Sequence, residues 1–168
     1  VAGGTQNVSY GGKAYNVVQY SGGNINADVY GGDTETYVSG TNASGEAFTL
    51  QNGVASNFIL YAGGLQNVSS GGVASNTTLN SGAVNLYEGG LISGLNATGG
   101  DLNVYGNNTL QGNINLADAQ VNINHTTGMN TMGIENMSDN TAVFNMNVDL
   151  DTQSAHKLNI TESYSCIL

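Results

Sequence analysis

Residues 63–81 read GGLQNVSSGGVASNTTLNS and contain two near-copies of one pattern. The pair Gly63-Gly64 precedes Val68, and the pair Gly71-Gly72 precedes Leu79. Glycine supplies the positive φ angles that other residues resist, and the alternating polar and apolar residues that follow suit a strand with one buried face. Each half therefore predicts a turn and a short strand. Such a strand needs copies of itself above and below it to bury its apolar side.

Similar units occur along the chain, which has 168 residues. They start at Gly3-Gly4 and Gly22-Gly23, and residues 42–62 fit as one degraded copy with Asn52-Gly53 in place of the central glycine pair. The units after Gly82 are shorter and looser. A glycine-marked period of 18–21 residues over residues 1–120 predicts an all-β fold, a β-solenoid with one period per coil.

The chain divides into three segments by this pattern. Residues 1–124 are predicted to form the solenoid repeats, and residues 125–140, which hold three of the four methionines, an irregular loop or coil. Residues 141–161 return to strict alternation and read as two strands joined by Asp151–Ala155. Residues 141–168 are therefore predicted to form β-strands that continue or cap the solenoid. The inward positions are predicted to be Val8, Val17, Ile25, Val29, Tyr37, Phe48, Leu50, Phe58, Leu60, Val68, Val73, Leu79, Val84, Leu86, Ile92, Leu95, Leu102, Val104, Leu110, Ile114, Leu116, Val121, Ile123, Val143 or Phe144, Met146, Val148, Leu150, Leu158 and Ile160.

Two polar features repeat with the coil. Asparagine alternates with apolar residues through LNVYGNNTLQGNINLADAQVNIN (residues 102–124), so we expect asparagine side chains to stack in hydrogen-bonded ladders between coils. Tyrosines sit before turns or at strand ends, where they cover the coil edges and stack on neighbouring coils, or form a platform for sugars. As an interaction surface these positions are Tyr10, Tyr20, Tyr30 and Tyr61.

The composition excludes several classes of partner. The chain has twelve acidic residues and only two basic ones, Lys13 and Lys157, for a net charge of −10. It therefore lacks the cations that bind nucleic acid or an anionic membrane surface. Cys166 is the only cysteine, so neither a disulfide framework nor a cysteine zinc site is expected within one chain. The role of this cysteine stays open. The chain starts inside a repeat without Met, and we interpret it as a piece of a longer protein.

Catalysis is not expected, and neither is a cofactor or metal. The pairs Asp33/Glu35 and Asp149/Asp151 have the spacing of residues that point the same way on a strand, and we interpret all four as outward-facing, solvated carboxylates. A nucleophilic triad would have to combine Cys166 with His125 or His156 and an acid, without any local signature. Calcium on the acidic face is disfavoured, because Gly-Gly-x-Gly-x-Asp repeats are absent.

The unit Gly63–Ser81 resembles the strand-loop-strand repeat of the AIDA-type autotransporter adhesins, through Gly-Gly-x-Gln-x-Val-x-x-Gly-Gly-x-Ala-Ser-x-Thr. Residues 3–21 match its first half and depart where Tyr15 replaces a small residue. The segment FNMNVDLD at residues 144–151, followed by KLNI at 157–160, is similar to a coil of the pertactin-like passenger region. Residues 82–140 match only in general character.

This resemblance implies a right-handed parallel β-helix, carried as a passenger to the bacterial cell surface through an outer-membrane barrel that we do not expect within these residues. It implies an extracellular location, a part in virulence, and partners that are either like chains or host-surface glycans and proteins. Serines of such repeats carry heptose in some members, and the matching positions are Ser69, Ser70 and Ser75.

We therefore predict a non-enzymatic adhesin passenger fragment that acts in adhesion, self-association (autoaggregation) or biofilm formation through a repetitive polar surface. One alternative is a β-helical protein that binds or degrades neutral polysaccharide in a groove at Asp33, Glu35 and Tyr37. Another alternative is the subunit of a self-assembling extracellular filament.

Overall fold

The computed structural model describes residues 3–124, 126, 128–138 and 141–164, and the side chains of all of these except residues 163 and 164. These residues form strands and turns, with no helix among them. The strands are β1 (Thr5–Val8), β2 (Lys13–Val18), β3 (Asn24–Val29), β4 (Tyr37–Thr41), β5 (Ala47–Gln51), β6 (Val54–Ser56), β7 (Ile59–Leu60), β8 (Leu65–Val68), β9 (Val73–Leu79), β10 (Ala83–Leu86), β11 (Leu91–Thr98), β12 (Asp101–Tyr105), β13 (Asn108–Ala117), β14 (Gln120–Asn124), β15 (Thr131–Ser138), β16 (Val143–Asn145), β17 (Val148–Asp149), β18 (Ser154–Ala155) and β19 (Lys157–Tyr164).

The strands build a β-solenoid of about seven turns, as predicted. Sheet 1 has seven strands in the order β1-β3-β8-β10-β12-β14-β16, all parallel. Sheet 2 has ten strands in the order β19-β15-β13-β11-β9-β6-β5-β4-β2, with β7 also paired to β9. The chain crosses from one sheet to the other in every turn of the solenoid. Its right-handed sense stays a prediction.

The period is regular over most of sheet 1. Paired residues of neighbouring strands lie 18 or 19 positions apart at four of the six steps. The step from β3 to β8 takes 39 positions and that from β14 to β16 takes 23. The chain departs from a simple coil at these two steps.

The glycine pairs form the corners, and their two members have different tasks. The second glycine donates its N–H to the carbonyl three residues earlier in the turns Ser9–Gly12, Tyr20–Gly23, Tyr61–Gly64, Ser69–Gly72 and Tyr87–Gly90. The first glycine of each of these turns has a positive φ, 84° at Gly63 and 73° at Gly71. A Cβ on the second glycine would meet the backbone of an earlier residue at Gly12, Gly64, Gly72 and Gly90, and at Gly72 it would overlap the Val29 carbonyl oxygen.

Residues 42–62 do not form one copy of the coil, so that prediction is wrong. Strand β5 pairs antiparallel with both β4 and β6, and β6 then pairs parallel with β9. Asn52 and Gly53 both have positive φ, 51° and 71°, which is the two-residue hairpin turn that matches strand twist. This antiparallel excursion lengthens the step between β3 and β8.

The long strands of sheet 2 bend near their middle. The bend residue has a positive φ in successive turns, 52° at Asn76, 83° at Gly94 and 69° at Gly112. The pairing register shifts at the same places, between Ser93 and Leu95 and again between Leu110 and Asn113. Each bend adds one residue to the spacing of buried positions along the strand.

The core fills the space between the sheets in aligned rows. Val68, Leu86, Val104 and Ile123 pair in register and are buried. Burial confirms most of the predicted inward positions, but Tyr37 and Val73 are wrong. Their neighbours Val38 and Ala74 are fully buried instead.

The C-terminal third differs most from expectation. Residues 131–138, predicted as part of an irregular segment, form β15 with Met132, Ile134 and Met137 buried in the core. Of the alternatives Val143 and Phe144, Phe144 packs against the same core and Val143 is exposed. Met146, Val148, Leu150 and Ile160 are exposed, so those inward predictions are wrong. Met146, Val148 and Leu150 lie in or beside the antiparallel pair β17–β18, which leaves the stacked coils, and Ile160 lies on β19, the end strand of sheet 2.

Candidate functional site

An asparagine ladder, defined as Asp28, Asn67, Asn85, Asn103, Asn122 and Asn145, runs along the outer face of sheet 1. Each asparagine donates its Nδ2 to the side-chain oxygen on the preceding strand, over distances of 2.7–2.9 Å. A separate bond joins Asn26 Nδ2 to Asn7 Oδ1 at 3.0 Å. The predicted stacking of asparagines between coils is confirmed. These amides bond one another, so the ladder strengthens the rod more than it offers groups to a ligand.

The four nominated tyrosines lie at turns, as predicted. The carbonyls of Tyr20, Tyr30 and Tyr61 each accept a turn hydrogen bond, and Tyr10 lies within the Ser9–Gly12 turn. Tyr10 and Tyr20 are exposed by about 60%, Tyr30 by 39%, and Tyr61 is half-buried. Whether these side chains bind a partner stays a prediction.

The stacked tyrosine pairs are formed by other residues. Tyr15 stacks on Tyr37 at 5.1 Å between ring centroids, and Tyr87 stacks on Tyr105 at 5.0 Å with planes 13° apart. No ring stack among the described residues includes the four nominated tyrosines. The signal that identifies the second pair is the spacing of 18 residues, one coil, between Tyr87 and Tyr105.

The three candidate serines occupy two different places. Ser69 and Ser70 lie in the turn between β8 and β9, where Ser70 is exposed and its carbonyl accepts the Gly31 N–H at 3.1 Å. Ser75 is half-buried on β9 and pairs in register with Ser56 and Ser93 on the neighbouring strands. This serine row was not predicted, although Val-Ala-Ser-Asn occurs at both 54–57 and 73–76.

A bend cleft opens on the outer face of sheet 2, where β9, β11 and β13 change direction. Its volume is about 380 Å³, and its lining includes Asn76, Ser93, Gly94, Asn96, Gly112 and Asn113. Gly94 and Gly112 both have positive φ, and a Cβ at position 94 would lie 2.8 Å from Asn76 Oδ1, so glycine suits the close stacking of the bends. Sequence reasoning missed the cleft, because it searched for titratable groups and the lining has none. The signal was the recurrence of Asn or Gly in mid-strand.

The carboxylate pair at the start of the excursion is not the outward pair that we predicted. Asp33 is buried in a loop, and its Oδ1 accepts the N–H groups of Glu35 and Thr36, each at 3.0 Å, while Glu35 is exposed. Burial raises the pKa of Asp33, but the hydrogen bonds from Thr36 and Glu35 outweigh it and leave the pKa below its usual value. Asp33 therefore acts as a structural acceptor in this loop.

The remaining polar candidates are also used structurally where they are described. Asp149 Oδ1 accepts the N–H of Asp151 and of Thr152, and the Nδ1 of buried His156 accepts the Asn130 N–H at 2.8 Å. His125 and Cys166 lie outside the described residues. The described residues contain no group of three or more His, Cys, Asp or Glu side chains placed to hold a metal ion.

Comparison with known families gives the most specific information on function. Residues 39–107 match the family model described as adhesin of bacterial autotransporter system, probable stalk. This part of the chain is therefore similar to the stalk of an autotransporter adhesin. The matched adhesin region runs from β4 to just after β12, so it includes both the antiparallel excursion and the regular coils.

The adhesin match supports the coarse assignment that the residue pattern indicated. It suggests an adhesin-like autotransporter passenger with a non-enzymatic role, and this family implies a surface-exposed location. No curated protein matches the chain. Within the described residues there is no helix of the length and hydropathy needed to cross a bilayer.

Proposed function

We propose that this chain is a section of the stalk of a bacterial autotransporter adhesin, held outside the cell, where it mediates adhesion, self-association or biofilm formation without catalysis. The observation that carries the proposal is the stalk match over residues 39–107, which falls on stacked coils of one solenoid. A structural use of Asp33, whose Oδ1 accepts two N–H groups of its own loop, supports the non-enzymatic part of the proposal.

The proposed mechanism is mechanical and multivalent. Sheet 1 stacks seven parallel strands, and six steps of about 4.8 Å give a rod section roughly 30 Å long. The asparagine ladder joins six of these strands by side-chain bonds in addition to the backbone pairing. A rod of this kind presents the same polar groups at each coil, so weak contacts to a partner add through multivalency.

The charge pattern favours partners that are themselves neutral or polar. The net charge is −10, but only 8% of residues are charged, so the repeated faces are mostly Asn, Ser and Thr. We propose a like chain on another cell, or a host-surface glycan or protein, as the partner, and no nucleic acid. A part in virulence would follow from such contacts.

The test displays residues 1–168 on a bacterium that neither aggregates nor adheres, with an epitope tag to match surface density. We expect faster settling of the cells or stronger binding to epithelial monolayers than with the empty display scaffold. Release of reducing ends from neutral polysaccharides is measured in parallel and should stay at background. Equal settling and equal binding of tagged cells and scaffold controls would overturn the proposal, and glycan turnover would favour the enzyme alternative.

Glycosylation is a second, separable part of the proposal. Of the three candidate serines, Ser70 is the exposed one, and it lies on a turn that an enzyme can reach. We expect heptose, if the native host adds it, on Ser70 before Ser69 or Ser75. Peptide mass spectrometry of the chain purified from its native host checks this order, and a modified Ser75 with bare Ser70 contradicts it.

A further inference from the structure

The bend cleft differs from the rest of the outer surface in its free hydrogen-bonding groups. On sheet 1 the asparagine amides bond one another along the ladder. In the cleft, the side chains of Asn76, Ser93 and Asn113 make no hydrogen bond to any other described residue. Asn96 Oδ1 accepts Asn115 Nδ2 at 2.8 Å, which leaves the Asn96 amide and the Asn115 carbonyl free. The cleft therefore presents several donors and acceptors together.

The cleft continues along the rod axis onto the next strand. Asn136 on β15 pairs in register with Asn113, and the two residues line an adjoining depression of about 130 Å³. The Oδ1 of Asn136 is buried and has no hydrogen-bond partner among the described residues. A buried acceptor without a partner is costly, and a turn of the Asn136 side chain that brings this oxygen to a ligand hydroxyl would remove that cost.

The lining chemistry selects the class of ligand. No charged side chain lines either the cleft or the depression, so neither an anion nor a cation would find a counter-charge there. Amide and hydroxyl groups pair with hydroxyls, which both donate and accept. The three strands of the cleft span about 10 Å along the axis, close to the length of a disaccharide, and the step to Asn136 on β15 adds about 5 Å.

We infer that the bend cleft is a binding site for a neutral oligosaccharide that lies along the solenoid axis from Asn76 to Asn136. Asn113 contacts the ligand from the middle of the site, and Gly94 and Gly112 line the cleft without side chains. The inference rests on the proposed function for its biological setting, as the point where an adhesin stalk touches an uncharged glycan. The binding itself is measured on purified protein without cells.

The test titrates assigned, isotope-labelled chain with maltose, cellobiose and lactose to about 10 mM, well above a Kd of about 1 mM, and follows amide chemical shifts. Digalacturonate serves as the charged comparator. The loss variants are Ser93→Ala and Asn113→Ala, whose side chains make no bond within the described fold. Thr98→Ala, exposed at the end of the same strand β11 and outside the cleft, is the matched control.

Binding is expected as shifts confined to residues 76, 93–96, 112–115 and 136 with at least one neutral disaccharide. Loss of one hydrogen bond should weaken that binding by about tenfold in Asn113→Ala, and Thr98→Ala should bind as the unaltered chain does. The inference is overturned by unchanged spectra with all three sugars, by shifts centred on Tyr87 and Tyr105, or by tighter binding of digalacturonate. If no sugar binds but cells that display the chain still settle faster than the scaffold control, this site is refuted and the proposed function stands.

Discussion

Gln66 and Thr77 meet inside the solenoid, where the Thr77 hydroxyl lies 3.1 Å from Gln66 Oε1 and donates to it. Gln66 belongs to β8 in sheet 1 and Thr77 to β9 in sheet 2, so the bond joins the two sheets through the core. Both side chains are buried, and Gln66 Nε2 has no hydrogen-bond partner among the described residues. Gln66 occupies a row that continues with Val84, Leu102 and Val121 in later turns.

The first prediction concerns this buried pair. Thr77→Val should lower the free energy of unfolding by about 1–3 kcal/mol, because it leaves the Gln66 amide wholly unpaired in the core. The double variant Gln66→Leu/Thr77→Val should restore the original stability or exceed it, since both polar groups are then gone. Urea unfolding of the four proteins of the cycle measures the coupling. A double variant less stable than Thr77→Val would show that the pair stabilises the fold.

The second prediction compares the first glycine of one glycine-pair corner with the second glycine of another. Gly63→Ala should cost about 1–2 kcal/mol, since a Cβ at Gly63 would meet no atom within 4 Å but its φ is +84°. Gly72→Ala should cost about 3 kcal/mol or more, because its Cβ would lie 2.7 Å from the Val29 carbonyl carbon. Thermal and urea unfolding check the order. Equal losses would mean that close approach of neighbouring turns is not what requires the second glycine.

The third prediction tests the asparagine ladder. Asn85→Ala removes two side-chain bonds, one to Asn67 and one from Asn103, and should destabilise the chain by about 1–2 kcal/mol. Asn113→Ala, an exposed asparagine outside the ladder, is the matched control and should change stability by less than about 0.5 kcal/mol. Urea unfolding midpoints give both values. A loss in Asn113→Ala as large as that in Asn85→Ala would contradict a special role of the ladder.

The fourth prediction follows from the lowered pKa of Asp33. Because the folded pKa lies below the unfolded value of about 3.9, the carboxylate stabilises the fold above that value. That contribution is lost as the pH falls through the folded pKa. Asp33→Asn keeps an acceptor for the Glu35 and Thr36 amides without the charge, so the stability gap between the two proteins should be largest at neutral pH and shrink towards pH 3. A gap that is constant from pH 7 to pH 3 would exclude an ionised Asp33 as the acceptor.

Much of the architecture follows from the residue pattern. Alternation identified most of the buried positions, the glycine pairs identified the corners, and the asparagine spacing identified the ladder. These three signals are local, and each has a single physical cause that does not depend on distant residues. A solenoid suits such reasoning, since each coil mainly contacts the coils beside it.

Alternation does not tell which way a neighbouring strand runs. Phe48 and Leu50 alternate with polar residues and are buried, as predicted, yet their strand is antiparallel to both neighbours. The deciding signal was Asn52-Gly53, a strong hairpin dipeptide that we interpreted as a degraded corner. In the Asn52-Gly53 turn both residues have a positive φ, whereas in a corner such as Gly63-Gly64 only the first glycine does.

The strand at residues 131–138 was missed because its bend interrupts the period of two. Its buried residues Met132 and Ile134 are two apart, but Met137 follows after three. The same interruption separates Ile92 from Leu95 on β11, where Gly94 marks the bend. The bend cleft was missed for the same reason, since it exists only where such bends stack on neighbouring strands. Its uncharged lining gave no titratable group to find.

The stacking of identical coils is tested most directly by disulfide trapping in a Cys166→Ser background. Residues 67, 85 and 103 lie in register on β8, β10 and β12, so neighbouring Cα atoms are about 4.8 Å apart, within the range of a disulfide, and the outer two about 10 Å apart. Paired cysteines at 67/85 and at 85/103 should oxidise readily within one chain, and the pair 67/103 should not. Efficient 67/103 bonds, or none at 67/85 and 85/103, would contradict the solenoid.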